Sequence, residues 1–202
     1  MRRPRRPGAA DDAAVIEGSW REPERFAVLF DRHAPHIYRY LARRAGGQVA
    51  DDLAAETFLA AFAKRDRYDL SRPDARPWLY GIATNLVNQH RRDEARNYQY
   101  RITHAAAAEP EVPGHAERVA ADVTAQAMRA LLAEALAMLP AGDRDVLLLI
   151  AWEQLTYQEV SMALGIPVGT VQSRLHRARA KVRQMLAGTE AAATYEELTT
   201  NE

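Results

Sequence analysis

The chain has no cysteine in its 202 residues. That excludes disulfides and thiolate metal sites, and it agrees with a reducing, cytoplasmic location. No apolar run approaches the roughly 20 residues needed to span a bilayer, so no membrane insertion is expected. The N-terminal MRRPRRPGAADD carries basic residues with no apolar core behind them, unlike a secretory signal. Net charge is missing as well, because 27 Lys and Arg balance 27 Asp and Glu. Affinity for nucleic acid must therefore come from local basic patches, not a global field. β-Branched runs are scarce, Ala and Leu dominate, and helical periodicity recurs throughout. The expected fold is all-α, as two small helical domains joined by a flexible linker.

One local absence points to function. No acidic residue occurs between Thr170 and Leu186. Upstream of it, Thr156 and Glu159 have the spacing of a capping box, which satisfies free N–H groups at a helix start. Gly165 suits the left-handed residue that ends a helix, and Pro167 can restart one where its missing N–H costs nothing. In the second helix Val171, Leu175, Ala178 and Val182 form one apolar stripe. Gln172, Ser173, His176 and Arg177 lie on the opposite crest, with Arg174, Lys181, Arg179 and Arg183 on its shoulders. This is the pattern of a DNA-reading helix-turn-helix, in which shoulders hold phosphates and the crest meets base edges.

Taken in order, residues 1–20 read as a disordered basic arm. A first helix is expected from about Glu24 to Arg44, with Phe26, Leu29, Phe30, His33, Ile37, Tyr40 and Leu41 inward and a bend or break at Pro35. A second follows from about Val49 to Lys64, with Leu53, Ala60 and Ala61 inward beside Phe58 or Phe62. Asp51, Asp52 and Glu56 give it an acidic outer surface. DRYDLSRPDARP, residues 66–77, is a loop. The third helix, about Trp78 to Arg92, turns Leu79, Ile82, Ala83, Leu86 and His90 inward. Gly81, Thr84, Asn85, Asn88, Arg91 and Arg92 are expected to face out. These make a first domain over 21–96.

Residues 97–121, with HAAAAEPEVPGHAE, read as a linker. Helicity returns near Asp122 for a second domain over 122–187, where Asp143 is expected to cap the helix carrying Val146, Leu147 and Ile150. After Gly188 come four acidic residues and no basic one, a flexible tail over 188–202. A metal-dependent enzyme would have to use His33, His36, Asp51, Asp52, Glu56 or His90. However, His33 and His90 lie on apolar stripes and the acids on an outer face.

Two stretches together resemble one family. Asp51-Asp52-Leu53-Ala54-Ala55-Glu56-Thr57-Phe58, followed by Arg76-Pro77-Trp78-Leu79-Tyr80-Gly81-Ile82-Ala83-Thr84-Asn85, is similar to the DDLxQETF…RTWLYxIAxN signature of the extracytoplasmic-function (ECF) sigma factors. Leu139-Pro140, with the later Gly165-Ile166-Pro167-Val168-Gly169-Thr170-Val171-Gln172-Ser173-Arg174-Leu175, resembles the LP…GISxGTVKSRLxRAR of their C-terminal domain. Ala55, Pro77 and Pro167 depart from the usual glutamine, threonine and serine.

The resemblance implies a non-enzymatic transcription initiation factor that needs no cofactor or metal; the alternative reading of the residues is a helix-turn-helix transcriptional regulator acting independently of any sigma role. Its partners would be core RNA polymerase, promoter DNA and an anti-sigma factor. Asp51, Asp52, Glu56 and Phe58 would meet the β′ coiled coil, and the C-terminal domain would sit on the β flap. Arg72, Arg76, Trp78, Thr84, Asn85, Asn88 and Gln89 would melt and read the −10 element. Gln172, Ser173, Arg174, His176, Arg177 and Arg179 would read the −35 element. Tyr80, beside Trp78, is a further candidate for stacking on unpaired bases.

Overall fold

The structure, a computed structural model, describes residues 11–104 and 123–199. Helix α1, Asp12–Gly18, starts at Asp11, whose carboxylate accepts the Ala14 N–H at 2.8 Å. A 3₁₀ turn, Pro23–Phe26, leads into α2, Ala27–Ala45. Helix α3, Gly47–Ala63, and a second 3₁₀ turn, Arg65–Arg67, precede the long α4, Arg76–His104. The C-terminal half comprises α5 (Val123–Ala137), α6 (Ala141–Ala151), α7 (Tyr157–Leu164) and α8 (Val168–Thr199). No strand occurs among the described residues.

Three expectations are corrected here. The arm expected over residues 1–20 contains a helix, because Ala13, Val15 and Ile16 find a core to enter. A helix of about two turns carries too few apolar positions to show a period in the sequence; residues 1–10 lie outside the described part. The linker expected from residue 97 begins later, since α4 runs on to His104 with exposed Tyr98, Tyr100 and Ile102. Nothing in that stretch breaks a helix, although nothing in it makes an apolar stripe. The rest of the expected linker, 105–121, lies outside the described residues. The tail expected to be flexible from residue 188 continues α8 to Thr199, after which residues 200–202 are not described.

The core follows most of the expected stripes, except that Phe30, expected inward, is 47% exposed. Leu29, Ile37, Tyr40 and Leu41 of α2 meet Leu53, Phe58 and Ala61 of α3 and Leu79, Ala83 and Val87 of α4. Each fully buried Leu, Ile or Val contributes about 1.5–3 kcal/mol relative to exposure. Pro35 neither breaks nor ends α2, because buried residues on both sides of it hold the helix against its neighbours. In the C-terminal half Val146 and Leu149 of α6, Val160 of α7 and Val171, Leu175 and Ala178 of α8 are buried together. The two halves share one hydrophobic cluster, in which α7 lies against α4.

Candidate nucleic-acid interface

The helix-turn-helix is built as its sequence prescribes. Thr156 Oγ1 accepts the Glu159 N–H at 3.3 Å, and Glu159 Oε2 accepts the Thr156 N–H at 2.7 Å. Gly165 closes α7 with φ +63°, a conformation that costs glycine little and other residues more. Val171, Leu175 and Ala178 then face inward, with Val182 half-buried. On the outside stand Gln172, Ser173, His176, Arg177 and Arg179, while Arg174 is half-buried along the flank of α8.

One crest residue is occupied. Arg177 forks onto Asp143 of α6, with Nε donating to Oδ2 and Nη2 to Oδ1, both at 3.0 Å. This bond raises the guanidinium pKa further. Asp143 therefore does not cap α6 as expected: the N-cap is Pro140, and Asp143, one turn inside, is buried against Arg177. Ser173 Oγ donates to the Thr170 carbonyl at 3.1 Å, which leaves its lone pairs outward.

The second cluster lies on α4 and the loop before it. Tyr68 packs on Trp78 with ring centroids 5.0 Å apart, and its hydroxyl donates to the Arg72 carbonyl at 2.7 Å. The exposed Arg72 side chain donates to Asp69 at 2.8 Å. Trp78 is half-buried beside a cavity of about 310 Å³, which Arg72, Pro77 and Met162 also line. Asn85 and Gln89 are exposed on α4, and the Gln89 amide donates to Asp93 at 2.9 Å.

Other residues expected on this face are not free to read DNA here. Thr84 is only 1% exposed and shares a 2.7 Å hydrogen bond with the Tyr40 hydroxyl, so it faces inward. Gly81 is buried too, because the carbonyl of Ala163 in α7 lies where its Cβ would be. Tyr80 is fully buried, edge-on to Tyr40, and donates its hydroxyl to Glu153; burial and that carboxylate raise its pKa. Arg76 donates to the Glu153 carbonyl at 2.9 Å. Asn88 accepts from Arg44 at 2.8 Å and donates to Asp145 of α6 at 2.7 Å.

Asp145 is the centre of this seam between the halves. Arg44, 4% exposed, donates to it at 2.6 Å and to the Tyr40 hydroxyl at 2.6 Å. Burial works against the Arg44 charge, but Tyr40 and Asp145 outweigh it and raise its pKa. Arg91 and Arg144 lie in the same field; burial and the neighbouring guanidiniums lower theirs. Sequence periodicity had no means of finding Asp145 or Glu153. Asp145 lies on α6 and Glu153 in the turn just after it, and their role appears only when the halves meet.

On the far side of the N-terminal half, Asp51, Asp52 and Glu56 are exposed as expected. Phe58 is not: it is 6% exposed and stands edge-on to Phe30, with centroids 4.9 Å apart, so it supports this face from within. Phe30 is itself 47% exposed and, with Ala34, Pro35 and Tyr38, lines a groove that reaches Asp51. His33 bonds Asp12 at 2.8 Å, and His90 lies 3.4 Å from Glu94. Among the described residues, no group of three or more His, Asp or Glu is arranged to hold a metal ion, and no helix is long and apolar enough to cross a membrane.

Comparison with known proteins agrees with this two-part layout. Residues 29–97 match the family "Sigma-70 region 2" and residues 129–182 match "Sigma-70, region 4". The chain is 33% identical over 164 residues to RNA polymerase sigma factor CarQ of Myxococcus xanthus, covering 80% of this chain and 88% of CarQ. It is 30% identical over 173 residues to ECF RNA polymerase sigma factor SigW of Bacillus subtilis, covering 82% and 90%. Among solved structures it is similar to CnrH in complex with the cytosolic domain of CnrY, with TM-score 0.61, 25% identity and coverage of 89% and 99%. A capped helix-turn-helix with a one-signed outer face, an amide-bearing α4 behind a loop, and two matched sigma regions in this order lead to one conclusion: the chain belongs to the ECF RNA polymerase sigma factors, the non-enzymatic factors that start bacterial transcription.

Proposed function

We propose that the two halves divide promoter recognition as follows. Gln172, Ser173 and His176, the exposed crest of α8 apart from the engaged Arg177, read the −35 element in the major groove, while Arg174 and Arg179 hold phosphates. Asn85 and Gln89 receive the unpaired bases of the −10 element beside the loop carrying Arg72 and Trp78. Asp51, Asp52 and Glu56 meet the β′ coiled coil, Phe58 stiffens that surface from behind, and the C-terminal half rests on the β flap. The protein acts in the cytoplasm. The likeness to CnrH, solved with a cytosolic partner domain, supports an anti-sigma factor as a further partner.

The observation that carries this reading is the exposure of Asn85 on α4, the helix that follows a loop held in place by the Tyr68–Trp78 contact. An exposed amide offers a donor and acceptors to a base that has left the stack, and contacts made only in the open state shift the equilibrium towards it. Asn88 can join only after releasing Asp145 and Arg44, so full −10 reading requires the seam to open.

The test combines core capture with permanganate footprinting. Asn85→Ala should bind core polymerase like wild type while open complex falls on duplex promoter. On a template already mismatched at −10, the defect should persist with altered base preference. Wild-type opening on both templates would remove Asn85 from the site.

A further inference from the structure

Helix α1 lies outside both matched sigma regions, yet it carries a buried carboxylate with no local purpose. Capping of α1 is done by Asp11. Asp12 instead turns its side chain to residues far along the chain. Its Oδ1 accepts from Arg32 Nη1 at 2.9 Å, and its Oδ2 bonds His33 Nε2 at 2.8 Å. The same Oδ2 accepts the Ala75 N–H at 3.0 Å, and the Asp12 N–H donates to the Pro73 carbonyl at 3.1 Å. Ala75 is fully buried and immediately precedes α4, so the carboxylate sits at the positive end of that helix's dipole. A carboxylate only 6% exposed persists where its oxygens are satisfied. Burial disfavours its ionised form, but the bonds from His33 and Ala75 outweigh this and lower its pKa.

Two of these bonds end at one place, the loop 69–75 that presents Arg72 and leads to Trp78. Arg32 and His33 anchor the carboxylate to α2, and the carboxylate in turn anchors the loop's last residues and the first turn of α4. The geometry points to Asp12 as a positioning residue for promoter opening: it fixes the loop 69–75, through Pro73 and Ala75, in the place from which Arg72 and Trp78 face the −10 element. This rests on the reading of that loop as promoter-facing given above.

The test uses full-length chain with core polymerase. Asp12→Ala leaves the buried Ala75 donor unpaired, and open complex on duplex promoter should fall roughly tenfold. Core capture should stay at the wild-type level, and base preference within the −10 element should shift. If Asp12 acts through the loop, Asp12→Ala combined with Arg72→Ala should be no worse than the weaker single variant. Asp12→Asn keeps the volume and one acceptor oxygen for Ala75; it guards against loss of folding and should fall between wild type and Asp12→Ala. Wild-type opening by both Asp12 variants would overturn the assignment. So would a loss of opening matched by an equal loss of core capture, or losses that simply add to those of Arg72→Ala. If Arg72→Ala and Trp78→Ala themselves open promoter like wild type, the loop reading fails, and the role of Asp12 falls with it.

Discussion

At the scale of single residues, the crest of α8 separates into free and engaged side chains. Gln172 and His176 are exposed, whereas Arg177 is forked onto a buried acid. Gln172→Ala should alter promoter choice at one or two base pairs, at about 1–3 kcal/mol. Arg179→Ala should weaken all sequences about equally and flatten the salt dependence. Arg177→Ala should show first as a lower thermal midpoint, because it leaves Asp143 buried without its partner. Binding titrations across single-base promoter variants, together with thermal unfolding, distinguish the three. A base-specific effect from Arg179 would place the helical phase wrong. The positions of these side chains around α8 were legible because 100° per residue decides them. The fork from Arg177 to Asp143 was not, since it joins residues 34 apart.

At the scale of elements, local chemistry accounts for most of what the sequence disclosed. The capping box at Thr156, the left-handed Gly165 and the four-three-four stripe of α8 are all short-range signals, and each stands in the structure. Thr156→Ala should cost about 1 kcal/mol of stability through the lost cap. Gly165→Ala should cost about the same through a strained left-handed alanine. Chemical denaturation measures both, and an unchanged midpoint for Gly165→Ala would mean that this turn relaxes freely. Short-range signals failed where an element had no stripe. Helix α1 is too short to show one, and the extension of α4 to His104 has no continuous apolar stripe. The outward face expected for α4 also failed in part. Thr84 and Gly81 are buried because Tyr40 and α7 cover them, and no period within α4 announces a neighbour on its polar side.

For the whole molecule, the seam decides which of the proposed promoter-facing groups are exposed. Asp145 holds Arg44 and Asn88, Glu153 holds Tyr80 and Arg76, and α7 lies over Gly81. Removing one partner of a buried ion pair costs about 3–5 kcal/mol. Asp145→Ala would also leave Arg44, Arg91 and Arg144 crowded without their acid. The variant should therefore separate the halves, seen as a larger radius of gyration in small-angle X-ray scattering; an unchanged radius would mean that apolar contacts alone keep the seam closed. On the function proposed above, one chain carries two promoter readers that act together on core polymerase. The most direct measurement is selection of promoters from a randomised DNA library by holoenzyme reconstituted from this chain and core enzyme, with permanganate mapping of the selected sequences. Two sequence blocks at a fixed spacing are expected, the downstream one permanganate-reactive, with Gln172→Ala altering only the upstream block and Asn85→Ala only the downstream one. A single block, a palindrome bound without core polymerase, or two blocks with no reactive thymines would contradict it.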